Sequence, residues 1–277
     1  MNLDENKVLE LQKQYKKQQH HKKIKHFVLC CVGILSFLLL WQLLSMSGLV
    51  NEKYLPSPAA IFKTFVYKLN HKAPDGNTLL TNIWSSTQVS VLGFLFAASI
   101  GIPLGLLMGW FGLVDRFVSP VFELIRPVPP IAWIPIVVVL IGVNIQARAV
   151  IIFLATFVVC VLNSYTGIRL TNQTLINVAK TFGASNFETF WKVGIPSALP
   201  MVFTGARLAL GGAWMTLVAA EMLASNSGLG NMLSAGRKLA RPDIVVLGMV
   251  VIGAIGAVMI SGLNRLEKHM LRWMKRD

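Results

Sequence analysis

Two side chains with the capacity for chemistry stand inside an apolar stretch that is otherwise uncharged. Arg207 falls about ten residues into the run 198–223, and Glu221 follows fourteen residues later. If the run is helical, Arg207 lies roughly 15 Å deep, and the two charges sit on a similar face about 21 Å apart. That is too far for a direct pair. An arginine turned to lipid costs several kcal/mol, so Arg207 must face protein or a wet cavity. Two readings stay open. In one, each charge bonds to a neighbouring helix. In the other, Arg207 lines a passage and helps admit an anion, while Glu221, near the outer mouth, braces or gates it.

Nothing else forms a catalytic constellation. No Gly-x-x-x-x-Gly-Lys-Ser/Thr phosphate loop occurs, so this chain should not hydrolyse ATP itself, and no His-Glu-x-x-His zinc motif occurs either. The five histidines, His20, His21, His26, His71 and His269, all lie outside the apolar runs. A serine nucleophile within a membrane would therefore have no base. His20-His21 beside lysines reads as a solvated tail rather than a metal site. The expectation is a protein with no catalytic residue, no metal and no cofactor of its own.

The elements that must position Arg207 and Glu221 follow from composition. Hydrophobic residues make up 54% of the 277 and charged residues 14%, far from the balance of soluble domains. Several stretches reach the ~20 apolar residues that cross a bilayer. The chain reads as an integral membrane protein. Its net charge of +14 is gathered at the two ends, which excludes a nucleic-acid reading. Lys7, Lys13, Lys16, Lys17, Lys22, Lys23 and Lys25 precede the first apolar run, and Arg265, Lys268, Arg272, Lys275 and Arg276 follow the last. Both clusters fit cytoplasmic ends by the positive-inside rule and can touch anionic headgroups. Cys30, Cys31 and Cys160 fall inside apolar runs, where they act as small hydrophobes and make no disulfide framework. The amino terminus is too long and polar for a signal peptide, and no Ala-x-Ala site follows, so the first run is expected to stay as an anchor.

Six spans are expected, near 27–46, 87–111, 117–143, 149–168, 198–223 and 244–263. Pro58 opens a short amphipathic helix near 58–69 in the first outer segment. Gly101, Gly105 and Gly109, four apart, make a small-residue stripe for close helix packing. Asp115-Arg116 reads as a short inner turn. Pro120, Pro127, Pro129, Pro130 and Pro135 break the third span, and such backbone survives at membrane depth only when buried in protein or lining a cavity. Glu123 and Arg126, three apart, can pair on one face. The organisation expected is a basic cytoplasmic tail (1–26), a first anchor (27–47), an extracytoplasmic segment (48–86), a core (87–264) and a second basic cytoplasmic tail (265–277).

Within that core the stretch 175–200 is a polar loop on the inner side. It holds a helical run, a break at Gly183, and Ser185-Asn186-Phe187-Glu188, which fits a capping box opening a second helix. Pro196 then sits in the first turn of the next span. A bent helical pair of this kind can be gripped by another protein. The bland alternative is a hairpin resting on the membrane through Phe187, Phe190 and Trp191. Its glycine break and polar residues leave no continuous apolar face, which favours docking.

Asn177, Ala179, Gly183, Ile195, Pro196 and Pro200 resemble the EAA loop of ABC importer permeases, with Asn177 where that motif usually carries Glu. The resemblance extends over about 55–273. Leu55-Pro56-Ser57-Pro58, Ile125-Arg126-Pro127-Val128-Pro129-Pro130-Ile131-Ala132-Trp133-Ile134-Pro135, Gly205-Ala206-Arg207, Ala219-Ala220-Glu221-Met222 and Gly228-Leu229-Gly230 look like permeases of the nitrate/sulfonate/taurine/bicarbonate group. It implies an all-α integral membrane protein of about six transmembrane helices, with the type I ABC importer permease (MetI-like) fold. It also implies a homodimer, two ABC ATPase subunits carrying ATP-Mg, and an extracytoplasmic substrate-binding protein, in a bacterial cytoplasmic membrane. Coupling would fall to Asn177, Ala179, Gly183, Ser185, Glu188, Ile195, Pro196 and Pro200. Arg207 and Glu221 would belong to the translocation pathway, and the cargo would be a small solute such as a sulfonate, nitrate or similar oxyanion. Asn144-Ile145-Gln146-Ala147-Arg148 departs from relatives, which more often carry an acid and a Lys there. The competing reading is an ion-gradient-driven secondary transporter, which would want inverted repeats and several midplane acids. No clear repeat is seen, and Glu221 is the only acid well inside an expected span.

Overall fold

In hydrocarbon every backbone N–H and C=O must find a partner within the chain, and a helix satisfies them locally. A computed structural model describes residues 32–47, 55–223 and 225–273, with Tyr15, Lys25, Val28 and Leu29 besides. Every regular element among them is helical. His20-His21, Cys30, Cys31, the lysines from Lys7 to Lys23, Lys275 and Arg276 lie outside the described residues.

The chain divides into two compact units, residues 1–63 and 64–277. In the first, α1 (Val32–Met46) is tied to the segment that opens α2 (Pro58–Asn70). The Ser45 hydroxyl donates to the Leu55 carbonyl at 3.1 Å, and the Ala59 N–H donates to Gln42 Oε1 at 3.5 Å. Ser57 caps α2 by accepting from the Ala60 N–H at 3.2 Å, and Pro58 fills a first-turn position that needs no donor.

The second unit is built on three long helices. α6 (Ile145–Arg169) lies between α3 (Leu79–Trp110) and α9 (Ile195–Leu223). The glycine stripe of α3 is the reason α3 and α6 lie so close. A methyl group on Gly101 would come 3.0 Å from Cys160 Cβ, and one on Gly105 would come 2.3 Å from the Val161 carbonyl oxygen. On the other face of α6, Gly167 meets Met201 and Gly205 of α9 meets Asn163. Small residues let backbones approach where lipid gives no hydrophobic drive for helices to associate.

The proline-rich third region is broken as expected. α4 (Gly112–Ile125), a single 3-10 turn at Pro130–Trp133 and α5 (Ile134–Ile141) form a pair bent by 79°. Glu123 and Arg126 pair at 3.5 Å on the exposed side of α4. Asp115-Arg116, expected as a turn, lies inside α4. The chain turns at Phe111, and Asp115 sits in the first helical turn, where a carboxylate suits the positive end of the helix dipole. It also accepts from Ser119, Tyr165 and Arg169, at 2.9, 3.2 and 3.3 Å.

Beyond α6 come α7 (Gln173–Thr181), α8 (Asn186–Thr189), a π turn (Phe190–Gly194) running directly into α9, then α10 (Leu229–Lys238) and α11 (Pro242–Met270). α10 was not expected. It forms because Leu229, Met232, Leu233 and Gly236, at helical spacing, bury one face. α11 runs past the expected end of its span at 263. Among the described residues, four helical runs, α3, α6, Asn186–Leu223 and α11, are long and apolar enough to cross a membrane, and the bent pair makes a fifth. With α1 this is roughly the six expected.

Candidate functional site

The loop between α6 and α9 is shaped by its ends. Asn172 caps α7 by accepting from the Thr174 N–H at 2.8 Å. At the other end Gly183 takes φ +83°, which an L side chain adopts only with strain. That residue closes the helix: the Gly183 N–H reaches the Lys180 carbonyl at 2.9 Å, and the Ala184 N–H reaches back to Ala179 at 3.1 Å. Ser185 and Glu188 make both bonds of the capping box, at 3.1 and 2.9 Å. Pro196 lies in the first turn of α9.

One face of this loop is anchored and the other is free. Phe190 is buried with Leu106, Ile168, Ala198 and Val202, its ring centroid 5.7 Å from Trp110 and 5.4 Å from Phe111. Of the three aromatics that a surface-resting hairpin would lay on headgroups, Phe190 therefore turns into the bundle. Phe187, Trp191, Val178, Leu175 and Phe182 stay exposed, Phe182 at 87%. Asn177, Gly183, Ser185 and Glu188 are exposed, and Ala179, Ile195, Pro196 and Pro200 are half-buried. Asn177 accepts from Gln173 Nε2 at 3.2 Å, and its carbonyl accepts from Thr181 at 3.0 Å.

Arg207 and Glu221 each bond to neighbouring helices, and not to each other. The Arg207 guanidinium donates to Asn264 at 3.2 Å, to Thr204 at 3.0 Å and to the Glu267 carboxylate. Its side chain remains 30% exposed. Glu267 falls in the segment read from sequence as the last basic tail. Its helical register with Leu263, Leu266 and Met270 was the signal that the helix continues.

Glu221 is 1% exposed and sits in a polar clasp. It accepts from the Ser86 hydroxyl at 2.8 Å, from the Gly230 N–H at 2.9 Å and from Arg148 at 3.3 Å. Ser86 in turn accepts from the Leu229 N–H at 2.9 Å, and Asn82 Oδ1 accepts from the Gly228 N–H at 3.0 Å. Arg148 also donates to the Ser227 carbonyl at 3.2 Å. Gly228, at φ +113°, has no room for a side chain, since a Cβ would come 2.2 Å from Glu221 Oε1. Asn82 donates to Asp75 at 2.6 Å, and Asp75 pairs with the fully buried Lys68. The clasp thus ties the turn before α10 to α3 and α6. Sequence reasoning singled out Glu221 and, through the resemblance alone, Gly228-Leu229-Gly230, but gave no role to Ser86, Asn82, Asp75 or Lys68.

Residues 101–276 match the family described as binding-protein-dependent transport system inner membrane component. The chain belongs to this family. The permease is 35% identical over 237 residues to an ABC transporter permease protein of Methanocaldococcus jannaschii, covering 85% of this chain and 88% of the relative. It is 32% identical over 243 residues to the taurine transport system permease protein of Escherichia coli (87% and 88% covered). The bicarbonate transport system permease protein of Synechocystis sp. is 33% identical over 243 residues (85% and 86%). The fold of the present chain is that of a chain in the inward-facing MetNI methionine ABC transporter, with a TM-score of 0.60 at 18% identity, covering 72% of this chain and 96% of that one. This protein is the multi-pass transmembrane subunit of a type I ABC importer, which works with a separate ATPase subunit and a binding protein. Those matches displace the gradient-driven reading.

Proposed function

We propose that two copies of this permease, each carrying one ATPase subunit, move a small oxyanion-bearing solute from an extracytoplasmic binding protein into the cytoplasm. The observation that carries the reading is the loop 175–200, fixed to the bundle through Phe190 while Phe182, Phe187 and Trp191 stand exposed. Asn177, Ala179, Gly183, Ser185, Glu188, Ile195, Pro196 and Pro200 shape the coupling element, and ATP-Mg binds on the ATPase. Both termini lie in the cytoplasm of a bacterial cell, on the side of the loop. A second copy has a surface available in the apolar groove of about 570 Å³ between α9 and α11, where Gly211 and Gly253 leave open space. ATP binding closes the ATPase pair, draws the two coupling loops together and turns the permease outward-open to receive cargo. The Glu221 clasp braces the outer end through this cycle.

Purification of the tagged permease in mild detergent from its native host is expected to bring down an ATPase at about one per copy, as a symmetric assembly requires. Permease arriving alone, under conditions that keep other ABC complexes whole, would sink the docking reading.

The oxyanion rests on relatives named for taurine and bicarbonate and on Arg207, whose side chain is part-exposed. Arg207→Ala is expected to lower uptake of labelled taurine or bicarbonate at least about tenfold, as losing one charge-assisted contact of roughly 1.5–3 kcal/mol would. That substitution also takes the Arg207 ion pair from Glu267, so Arg207→Ala is paired with Glu267→Gln in a second variant. If the double variant recovers normal membrane levels and normal uptake together, Arg207 only braces α11 and the pathway role is wrong.

A further inference from the structure

Trp110 is the last residue of α3, and it grips the second arm of the coupling loop along that arm's whole length. Its indole N–H donates to Asn186 Oδ1 at 3.3 Å, at the first residue of α8. Its ring centroid lies 5.7 Å from that of Phe190. Its six-membered ring lies against Gly194, the last residue of the π turn, where a Cβ would come 2.8 Å from Trp110 Cζ3 and 3.0 Å from Cε3. Only glycine allows that approach.

Asn186, Phe190 and Gly194 are four apart. In a plain α-helix, each step of four residues overshoots a full turn by roughly 40°, and the three would wind away from a single partner. The wider i→i+5 turn at Phe190–Gly194 counters that drift and keeps them in line under one indole. A π turn inside an α-helical run is rare and is found mostly where function needs it.

The connectivity gives this contact a task. α8, the π turn and α9 are continuous from Asn186 to Leu223, so movement of the loop enters α9 through the backbone. α3 has no such covalent link. Its contact with the loop arm is lateral: Leu106 packs on Phe190 alone, whereas Trp110 reaches Asn186, Phe190 and Gly194 together. At its far end, about 36 Å away at helical rise, α3 carries Ser86 and Asn82, which hold the turn before α10 in the Glu221 clasp.

We propose that Trp110 is a positioning residue that couples displacement of the loop 175–200 to α3, so that nucleotide-driven movement on the inner side reaches the outer clasp. This rests on the docking role proposed above, and the experiment separates the two.

The test uses the permease–ATPase complex purified together, in a cysteine-free background with Thr81→Cys, an exposed position near the outer end of α3. The reaction rate of that thiol with a maleimide is compared in nucleotide-free and ATP–vanadate-trapped states. The parent complex is expected to show a nucleotide-dependent change. Trp110→Ala is expected to retain the ATPase at the parent ratio yet shrink that change at least about threefold. Trp110→Phe keeps a ring and loses the N–H, so it should fall between them. Asn186→Ala should match Trp110→Phe, and combining the two should add nothing, as for partners in one contact. A full response in Trp110→Ala, or no response in the parent, overturns the proposal. So does loss of the ATPase from both Trp110 variants, which would make Trp110 a builder of the docking surface only. Absence of the ATPase from the parent complex would instead sink the docking role itself.

Discussion

Glu221→Ala is expected to remove most folded permease from the membrane, at a cost of about 3–5 kcal/mol, the range for breaking one side of a buried ion pair. Arg148 is 5% exposed and, among the described residues, would keep its charge with only the Ser227 carbonyl to receive it. The Ser86 hydroxyl and the Gly230 N–H would lose their acceptor at the same time. Each orphaned buried donor adds roughly 1–3 kcal/mol in its own right, although the losses overlap and do not simply sum. Against a typical total stability of about 5–15 kcal/mol, this is a large share.

The chemistry of the clasp orders the variants. Glu221→Gln keeps one carbonyl oxygen for Ser86 or Gly230 and turns an NH2 group toward a guanidinium, so it should be intermediate. Glu221→Gln combined with Arg148→Met removes both charges and should recover part of the loss, because a charge pair taken away whole leaves no buried ion behind. Thermal unfolding of each variant in detergent, followed by size-exclusion fluorescence, reads the series. An alanine variant that accumulates and unfolds like the parent would show that the carboxylate does not hold this end of the molecule together.

Local features were legible in the sequence because their physics is local. The capping box needed only Ser185 and Glu188 three residues apart, and both bonds form. Pro127, Pro129 and Pro130 lack donors, and the helix stops at Ile125 and resumes at a new angle. Apolar length marked the spans, since lipid demands helices of that length. The expected edges of those spans were less good. Polar residues at a span's end do not stop a helix when they bond to another one, so α3 begins at Leu79 and α11 continues to Met270.

Partners across the fold were not legible. Glu267 looked like part of a basic tail, and only α11 passing beside α9 makes it the acceptor for Arg207. Arg148 stood out as a departure from relatives, but its tie to Glu221 depends on how α6 and α9 align. Spacing along one helix says which face a charge occupies. It says nothing of what stands opposite. Trp110 carried no signal at all, being one more apolar residue at the end of a span until Asn186 and Gly194 are folded against it. The exposed apolar residues of the loop were visible in sequence, whereas the burial of Phe190 was not, because its pocket is assembled from α3, α6 and α9.

Gly105→Val is the second substitution expected to act strongly, through shape rather than charge. The nearest atom to a new Cβ is the Val161 carbonyl oxygen at 2.3 Å, followed by Ser164 Cβ at 2.9 Å and the Val161 carbonyl carbon at 3.0 Å. Two of these are backbone atoms of α6, held by that helix's own hydrogen bonds, so no side chain can swing aside to make room. α3 would have to move away from α6. Gly101 and Gly109 would then lose their contacts with Cys160, Phe157, Tyr165 and Ile168, and the dispersion energy of a close seam falls steeply with distance. The cost should reach or pass the upper end of the roughly 1–3 kcal/mol that overpacking brings. Gly112→Ala is the control, since a methyl group there meets nothing within 4 Å. Folded yield and unfolding temperature should drop steeply for Gly105→Val, drop less for Gly105→Ala, and stay near the parent for Gly112→Ala. Equal behaviour of the Gly105 and Gly112 variants would mean that α3 and α6 do not meet as closely as this seam requires. Loss confined to Gly105 would tie the four-residue glycine spacing to one physical cause, the approach of two backbones.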